Sequence, residues 1–248
     1  MKRNWGEVLD ICSLDSKVHA SKITRSGDTI LHIAVADNQE DIVGQLAGFS
    51  GNKEALKIGN EQGNTPLHVA ASMGSVRMCE CIANVDPKLV GARNQDGETP
   101  FFLTALHGKK DAFLCLHGKC SDGEGESYSR RVNNGDTILH CAIAGDYFDL
   151  GYQIIRLYKF LVNYVNKQGF TPLHLLATKP SAFRSGSHLS FNRIIYHCIF
   201  VDELREETSL KTSEDEKIPY CLDTSKYPVN YHGCIDFIQL LWNMIRGD

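Results

Sequence analysis

Ten histidines and nine cysteines give this 248-residue chain side chains that could bind a metal or act in catalysis. Four of the histidines follow a threonine by three residues: His32, His68, His140 and His174. A catalytic or zinc site needs several such groups close together. These four recur once per repeated segment, so we expect them to lie about one repeat apart. We therefore interpret them as structural residues.

A zinc site could be assembled from a second set of residues near the end of the chain, since imidazoles and thiolates are the usual zinc ligands. That set is His197, Cys198, Cys221, His232 and Cys234. It contains no Cys-x-x-Cys pair, so the sequence favours a structural role for these residues over a metal site.

The remaining nucleophiles also lack a catalytic setting. Cys79 and Cys81 lie two residues apart in a predicted helix, where side chains so spaced point in different directions, and we interpret them as buried thiols. The chain has neither a Gly-x-Ser-x-Gly elbow nor a Gly-x-x-x-x-Gly-Lys-Ser/Thr phosphate loop. The sequence therefore predicts no enzyme, no cofactor and no metal.

A repeated sequence pattern defines the helices and turns that would position these residues. Five segments share one pattern: GDTILHIA (27–34), GNTPLHVA (63–70), GETPFFLT (97–104), GDTILHCA (135–142) and GFTPLHLL (169–176). Their threonines are separated by 36, 34, 38 and 34 residues: Thr29, Thr65, Thr99, Thr137 and Thr171. The third segment diverges most, because Phe102 stands where the others have histidine.

Each feature of the pattern has a physical reason. Glycine can adopt the positive φ of a tight turn, threonine can cap the helix that follows, and proline fits the first helical turn. Leu67 or Leu173, with small residues such as Ala70 and Ala71 after it, would pack on the neighbouring unit. Apolar spacing predicts a second helix in each of four units, at Ile42, Val43 and Leu46, at Val76, Cys79 and Ile82, at Phe113, Leu114 and Leu116, and at Leu150, Ile154, Ile155 and Leu157.

This pattern resembles the ankyrin repeat, whose signature is Thr-Pro-Leu-His-x-Ala and whose period is about 33 residues. The resemblance covers roughly residues 25–200 and implies an all-α solenoid of stacked helix-turn-helix units with short hairpin loops. It also implies that the signature histidine joins the loops of adjacent units. We expect about five repeats, a partial N-terminal unit and a C-terminal helix.

The predicted domains follow from these segments. Residues 1–24 are expected to form a partial N-terminal repeat or cap, in which 5–12 resemble the outer helix of a preceding unit. Residues 25–204 are expected to form the ankyrin domain, with repeats starting near 27, 63, 97, 135 and 169 and a closing helix at 194–204. A mobile polar loop is expected at 118–130. Residues 205–248 are expected to form an acidic linker and a final helix.

A narrower resemblance is carried by KITRSGDT (22–29), GDTILHCAIAGD (135–146) and IIYHCIFVDE (194–203). These segments resemble plant ankyrin-repeat proteins of the accelerated-cell-death type. That family continues into a membrane domain with a Pro-Gly-Gly signature and acts at membranes in defence and stress signalling. The resemblance implies the cytosolic face of the plasma membrane or another membrane, although this chain lacks that domain.

In ankyrin proteins, partners bind at the turn tips and the exposed side of the first helices, which together form a concave face. The matching positions here are Arg25, Asp28, Asp37, Glu61, Gln62, Asn64, Met73, Gln95, Asp96, Glu98, His107, Asn133, Asn134, Asp136, Lys167, Gln168, Phe170 and Lys179. Their charges are mostly negative in the first four units. The sequence therefore predicts a protein partner with a basic or polar segment.

The overall charge and hydropathy agree with a protein partner. A formal net charge of −4 gives no attraction for nucleic acid, no apolar run is long enough to span a bilayer, and unpaired cysteines favour the cytoplasm. We expect a non-enzymatic scaffold, with plant defence or stress signalling as its setting. The alternative is the cytosolic regulatory part of a membrane-anchored ankyrin protein.

Overall fold

Threonine and proline set where the principal helices begin. The computed structural model describes residues 4–14, 16–49, 53–120, 124–131 and 133–179. Thr29, Thr65, Thr99, Thr137 and Thr171 each stand at a helix N-cap with extended backbone. Proline occupies the first turn of three of these helices, where its missing N–H has no partner to lose. The hydroxyl groups of Thr99, Thr137 and Thr171 accept the cap hydrogen bond from the backbone N–H three residues later, as predicted.

The described residues are predominantly α-helical. The helices are α1 (Trp5–Leu14), α2 (Ile30–Ala36), α3 (Glu40–Gly48), α4 (Lys53–Lys57), α5 (Pro66–Met73), α6 (Val76–Val85), α7 (Pro100–Leu106), α8 (Lys110–His117), α9 (Glu124–Tyr128), α10 (Ile138–Ala144), α11 (Phe148–Leu157) and α12 (Pro172–Ala177). Short 3-10 helices span Ser16–Ala20, Pro87–Gly91 and Lys159–Asn163. The predicted all-α class is confirmed, and the described β pairing is an isolated bridge between Arg130 and Thr137.

The helices stack in two rows. The first helices of successive units contact each other in the order α2, α5, α7, α10 and α12. The second helices contact in the order α3, α6 and α8, and α1 packs on α3. Through this contact α1 lies in the row of second helices.

Small residues allow the first helices to approach closely. Ala34, Ala70, Ala71, Ala105 and Ala142 are fully buried. Large side chains fill the core: the ring of Phe101 stacks on Phe113 with centroids 4.8 Å apart, and Leu31, Leu67 and Leu139 are buried in the same core cluster. Stability of such a stack comes from these contacts between neighbouring units.

The expected packing of two apolar sets is partly wrong. Leu173 is 66% exposed, because no element among the described residues covers that side of α12. The second helix predicted from Leu150, Ile154, Ile155 and Leu157 is present as α11, in which Leu150 and Ile154 are buried but Ile155 and Leu157 are about 40% exposed.

The region expected to be a loop at 118–130 contains the helix α9. Its Tyr128 packs against the core, and Gly125 lies against the hydroxyl group of Tyr158. The closing helix predicted at 194–204, the acidic linker and the final helix lie outside the described residues.

Candidate functional site

A hairpin loop precedes each first helix, and glycine allows its turn. Gly27, Gly63, Gly97, Gly135 and Gly169 have φ values between 72° and 86°, the left-handed region that side chains with a Cβ rarely adopt. In the second hairpin, the backbone N–H of Asn60 donates to the carbonyl oxygen of Asn64 at 3.0 Å. The predicted glycine turns are confirmed.

Side-chain amides connect the hairpins of neighbouring units. Asn60 Nδ2 donates to Asp28 Oδ1 at 2.9 Å, and Asn94 Nδ2 donates to Asn64 Oδ1 at 2.8 Å. Asn166 Nδ2 donates to Asp136 Oδ1 at 2.8 Å. In every one of these pairs the acceptor is the residue just before a signature threonine. We call these contacts, with the ion pair described next, the hairpin ladder.

The fourth unit makes this connection differently. At the corresponding place, a guanidinium nitrogen of Arg131 pairs with a carboxylate oxygen of Glu98, whose side chain is only 9% exposed. The same guanidinium lies 5.2 Å from the centre of the Phe102 ring. An ion pair therefore replaces the amide contact between the third and fourth units.

The signature histidines join neighbouring units through their rings. His32 Nε2 lies 2.7 Å from the carbonyl oxygen of Asn64, and His140 Nε2 lies 3.0 Å from that of Phe170. A carbonyl oxygen can only accept, so Nε2 must carry the proton. Nδ1 accepts from the backbone N–H of the capping threonine, as between Thr29 and His32 at 3.2 Å. The loop-joining role implied by the resemblance is confirmed for these histidines.

Burial favours the neutral imidazole in His32 and His68. It lowers the pKa of His68 to about 4, although the hydrogen bond to the carbonyl oxygen of Glu98 opposes the shift. Burial likewise lowers the pKa of His32, while the hydrogen bond to Asn64 opposes it. His174, in the last described helix, is exposed and bonds only within its own cap. The rings do not meet in a shared site.

The third unit replaces its histidine with the fully buried Phe102. The hydroxyl group of Thr99 donates instead to the carbonyl oxygen of Tyr128 at 2.9 Å and accepts from the backbone N–H of Phe102 at 3.0 Å. A threonine hydroxyl and the 124–131 segment thus make the connection that the ring makes elsewhere.

The predicted partner-binding positions fall into three groups by exposure. The hairpin tips and helix ends are exposed: Arg25, Asp37, Glu61, Gln62, Met73, Gln95, Asp96, His107, Asn133, Lys167, Gln168 and Phe170. The half-buried positions are Asp28, Asn64, Asn134, Asp136 and Lys179. Glu98 is buried, with 6% of its surface exposed.

Glu98 and Asp28 require a correction to the expected acidic face. Glu98 was assigned to the surface by its position in the repeat, but it is neutralised by Arg131, which that assignment left out. For Asp28, burial alone would raise the pKa, but hydrogen bonds from Ser26, Asn60 and Thr24 outweigh it and leave the pKa below its ordinary value. The exposed acids of this face are Asp37, Glu61 and Asp96.

Sequence reasoning missed the donors of the hairpin ladder. Asn60, Asn94 and Asn166 each lie five residues before a signature threonine, and this regular spacing was readable from the sequence. Arg131 lies six residues before Thr137 and breaks the spacing. The pairing of Arg131 with Glu98 was therefore visible only in the structure.

The thiols of the described residues are free, and several are buried. Burial raises the pKa of Cys79 and of Cys141 to about 12, so both remain protonated at neutral pH and are poor nucleophiles. Within the described ranges, no three His, Cys, Asp or Glu side chains are placed to hold a metal ion. The proposed zinc ligands from His197 to Cys234 lie outside those ranges.

Comparison with known proteins gives consistent matches. A family model for ankyrin repeats in three copies matches residues 7–90. Human NF-kappa-B inhibitor alpha is 30% identical over 140 residues, covering 55% of this chain and 43% of that protein. The probable 26S proteasome regulatory subunit p28 of Saccharomyces cerevisiae is 31% identical over 100 residues, covering 40% and 42%.

Among solved structures, the ankyrin repeat domain of Bcl-3 aligns with a TM-score of 0.56 and 22% identity, covering 63% of this chain and 68% of that one. The chain spans less than half the length of the two curated relatives named above. In the described part of the chain, no helix has both the length and the apolarity needed to cross a bilayer.

Proposed function

We propose that this chain, which has the ankyrin-repeat fold, is a non-enzymatic module that binds another protein through its hairpin tips and the exposed side of its first helices. One observation carries the proposal. The hairpin ladder and the histidine contacts use the side chains at the base of each hairpin, whereas those at the tips are exposed. The side chains at the tips are therefore exposed where a partner can reach them.

The chemistry of the exposed positions supports a basic or polar partner segment. Glu61 and Asp96 lie at the tips of successive hairpins, and Asp37 lies at the end of α2. A lysine- or arginine-containing segment would be attracted by this row, mainly through a faster association rate. Two apolar side chains could anchor it: Met73 is 38% exposed and Phe170 is 44% exposed.

The names of the relatives support the same kind of activity. One is called an inhibitor of NF-kappa-B and the other a regulatory subunit of the 26S proteasome, so both names describe proteins that act on another protein. We propose a scaffold or regulatory role of this class, without a cofactor and in the cytosol.

Affinity capture with a matched pair of variants tests this function. The first variant carries Glu61→Lys, Asp96→Lys and Phe170→Ala on the proposed surface. The control carries Asp10→Lys and Glu80→Lys, two exposed acids on α1 and α6 that give the same change in charge. A partner captured by the unchanged chain and the control, but not by the surface variant, supports the proposal. A partner retained by both variants contradicts it.

The narrower proposal is a role in plant defence or stress signalling, alone or as the cytosolic regulatory part of a membrane-anchored ankyrin protein. It rests on the resemblance of residues 22–29 and 135–146 to accelerated-cell-death-type proteins; the third segment, 194–203, lies outside the described residues. Transcripts that continue into apolar membrane spans, together with fractionation of the product with membranes, would support the anchored form. Recovery of the whole product in the cytosolic fraction would contradict it.

A further inference from the structure

A groove beside the hairpins of the last three units differs in charge from the acidic tips. Its volume is about 370 Å³. Four of its lining side chains are cationic and two offer an aromatic or aliphatic surface, namely Arg93, Arg130, Arg131, Lys167, Tyr164 and Val165. The concentration of cations is notable in a chain whose formal net charge is −4.

Two of these arginines have no carboxylate partner in the part of the chain that the structure describes. Arg93 donates to the carbonyl oxygens of Gly97 at 2.7 Å, Arg130 at 2.9 Å and Ser127 at 2.8 Å. The Arg130 guanidinium lies 5.1 Å from the centre of the Tyr164 ring and donates to its hydroxyl group. Burial lowers the pKa of Arg93, and the charge of Arg130 adds to the shift. A bound anion would relieve this repulsion.

Arg131 supplies an unused donor at the same place. One of its terminal nitrogens pairs with Glu98, but its buried Nε has no hydrogen-bond partner. Glu98 pairs with Arg131, so the positive charge of the groove comes mainly from Arg93, Arg130 and Lys167, while the nearby Asp136 carboxylate accepts a hydrogen bond from Asn166.

We propose that this groove binds an anionic side chain on a peptide segment of a protein partner, either a carboxylate or a phosphate monoester. Arginine recognises both groups through forked, charge-assisted hydrogen bonds. The Tyr164 ring and the side chain of Val165, a residue 53% exposed, add a surface that a peptide can use and a free ion cannot. A long polyanion would be repelled by Glu61 and Asp96 at the tips.

This inference rests on the proposed protein-binding function and assigns one part of the partner. Fluorescence anisotropy of labelled peptides with the full chain tests it directly. The probes are a Gly/Ser peptide with one phosphoserine, the same peptide with glutamate, and a neutral peptide with glutamine. Both anionic peptides are expected to bind at least about tenfold more tightly than the neutral one. The tighter of the two identifies the preferred anion.

Charge reversal with a matched control assigns the site. Arg130→Glu and Lys167→Gln are expected to weaken anionic peptide binding, with a loss of at least about tenfold for Arg130→Glu. Arg156→Glu is the control, because Arg156 also lies over a tyrosine ring, 5.7 Å from the centre of Tyr152, but is on α11 away from the groove. It is expected to leave the affinity unchanged, with folding of each variant verified by circular dichroism.

Several outcomes would overturn the inference. These are equal losses in Arg130→Glu and Arg156→Glu, equal binding of the neutral peptide, competition by inorganic phosphate as effective as that by the peptide, or preference for a single-stranded oligonucleotide. The Glu61→Lys, Asp96→Lys, Phe170→Ala variant is expected to keep its peptide affinity. Failure of the proposed acidic surface and failure of the groove can therefore be told apart.

Discussion

The side chain of His68 joins two units, because its Nε2 atom lies 3.2 Å from the carbonyl oxygen of Glu98 while its Nδ1 atom lies 3.0 Å from the backbone nitrogen of Thr65. The carboxylate of the same glutamate pairs with Arg131 of the following unit. Glu98 thus contacts the second and fourth units from its place in the third. A residue predicted to face a partner is therefore part of the stack.

The buried histidine predicts a pH-dependent stability. Its folded pKa of about 4 lies below the ordinary value of 6.5, so the unfolded chain binds the proton more tightly. Stability is complete above about pH 6.5 and falls as the pH decreases toward 4, by roughly 3 kcal/mol from this group alone. Urea denaturation at pH 7.5, 6 and 5 measures the loss. His68→Gln should flatten it, whereas His107→Gln, in an exposed turn, should not; equal profiles for all three chains would contradict the assignment.

The turn glycines predict a sharp contrast between two alanine substitutions. Gly63 has a φ of +76°, and a Cβ there would lie 3.0 Å from the backbone nitrogen of Gln95, so Gly63→Ala should destabilise the chain by at least about 1 kcal/mol. Gly48 ends α3 with no atom within 4 Å of an added Cβ. Gly48→Ala should be neutral or stabilising. Thermal denaturation compares them, and an equal loss at both positions would show that the turn geometry is not the cause.

The hairpin ladder predicts a cost for removing one amide. Asn94 donates to Asn64 and accepts from the backbone N–H groups of Asp96 at 3.1 Å and Glu98 at 2.9 Å. Asn94→Ala should lower the free energy of unfolding by about 1–3 kcal/mol, since partly buried partners lose their hydrogen bonds. Asn84→Ala on the exposed side of α6 is the control and should not destabilise. Matching effects at the two sites in chemical denaturation would argue against the ladder.

The ion pair between the third and fourth units predicts rescue by a second substitution. Arg131→Gln leaves the Glu98 carboxylate buried without its cation and should cost about 2–3 kcal/mol, less than the ~3–5 kcal/mol of a fully buried pair. Adding Glu98→Gln should recover part of this loss. The exposed pair of Arg77 with Asp41, at 2.7 Å, gives the reference, and Arg77→Gln should change stability by less than about 1 kcal/mol. Urea denaturation measures the free energy of unfolding of each variant. If the losses of the two single variants add in the double variant, the two residues are not coupled.

The repeat itself was predictable from the chain. A glycine with positive φ, a capping threonine and a small apolar helix depend on contacts within a few residues, so the pattern of residues 63–70 was sufficient to place the turn and α5. The histidine role was also predictable, because the same residue recurs in four of the five units and successive units are equivalent. The asparagines of the hairpin ladder carried an equally regular signal.

The departures from the repeat were decided by the tertiary structure. Three departures occur where the 38-residue spacing breaks the pattern. Glu98 is buried, Arg131 lies over the Phe102 ring, and residues 124–128 fold as a helix. The sequence around a carboxylate does not determine which cation of a neighbouring unit pairs with it. The cationic groove has the same origin, since Arg93, Arg130 and Lys167 are far apart in the chain and lie together only because the hairpins stack. Local sequence determined the units, and long-range packing determined which of their side chains remain free to bind.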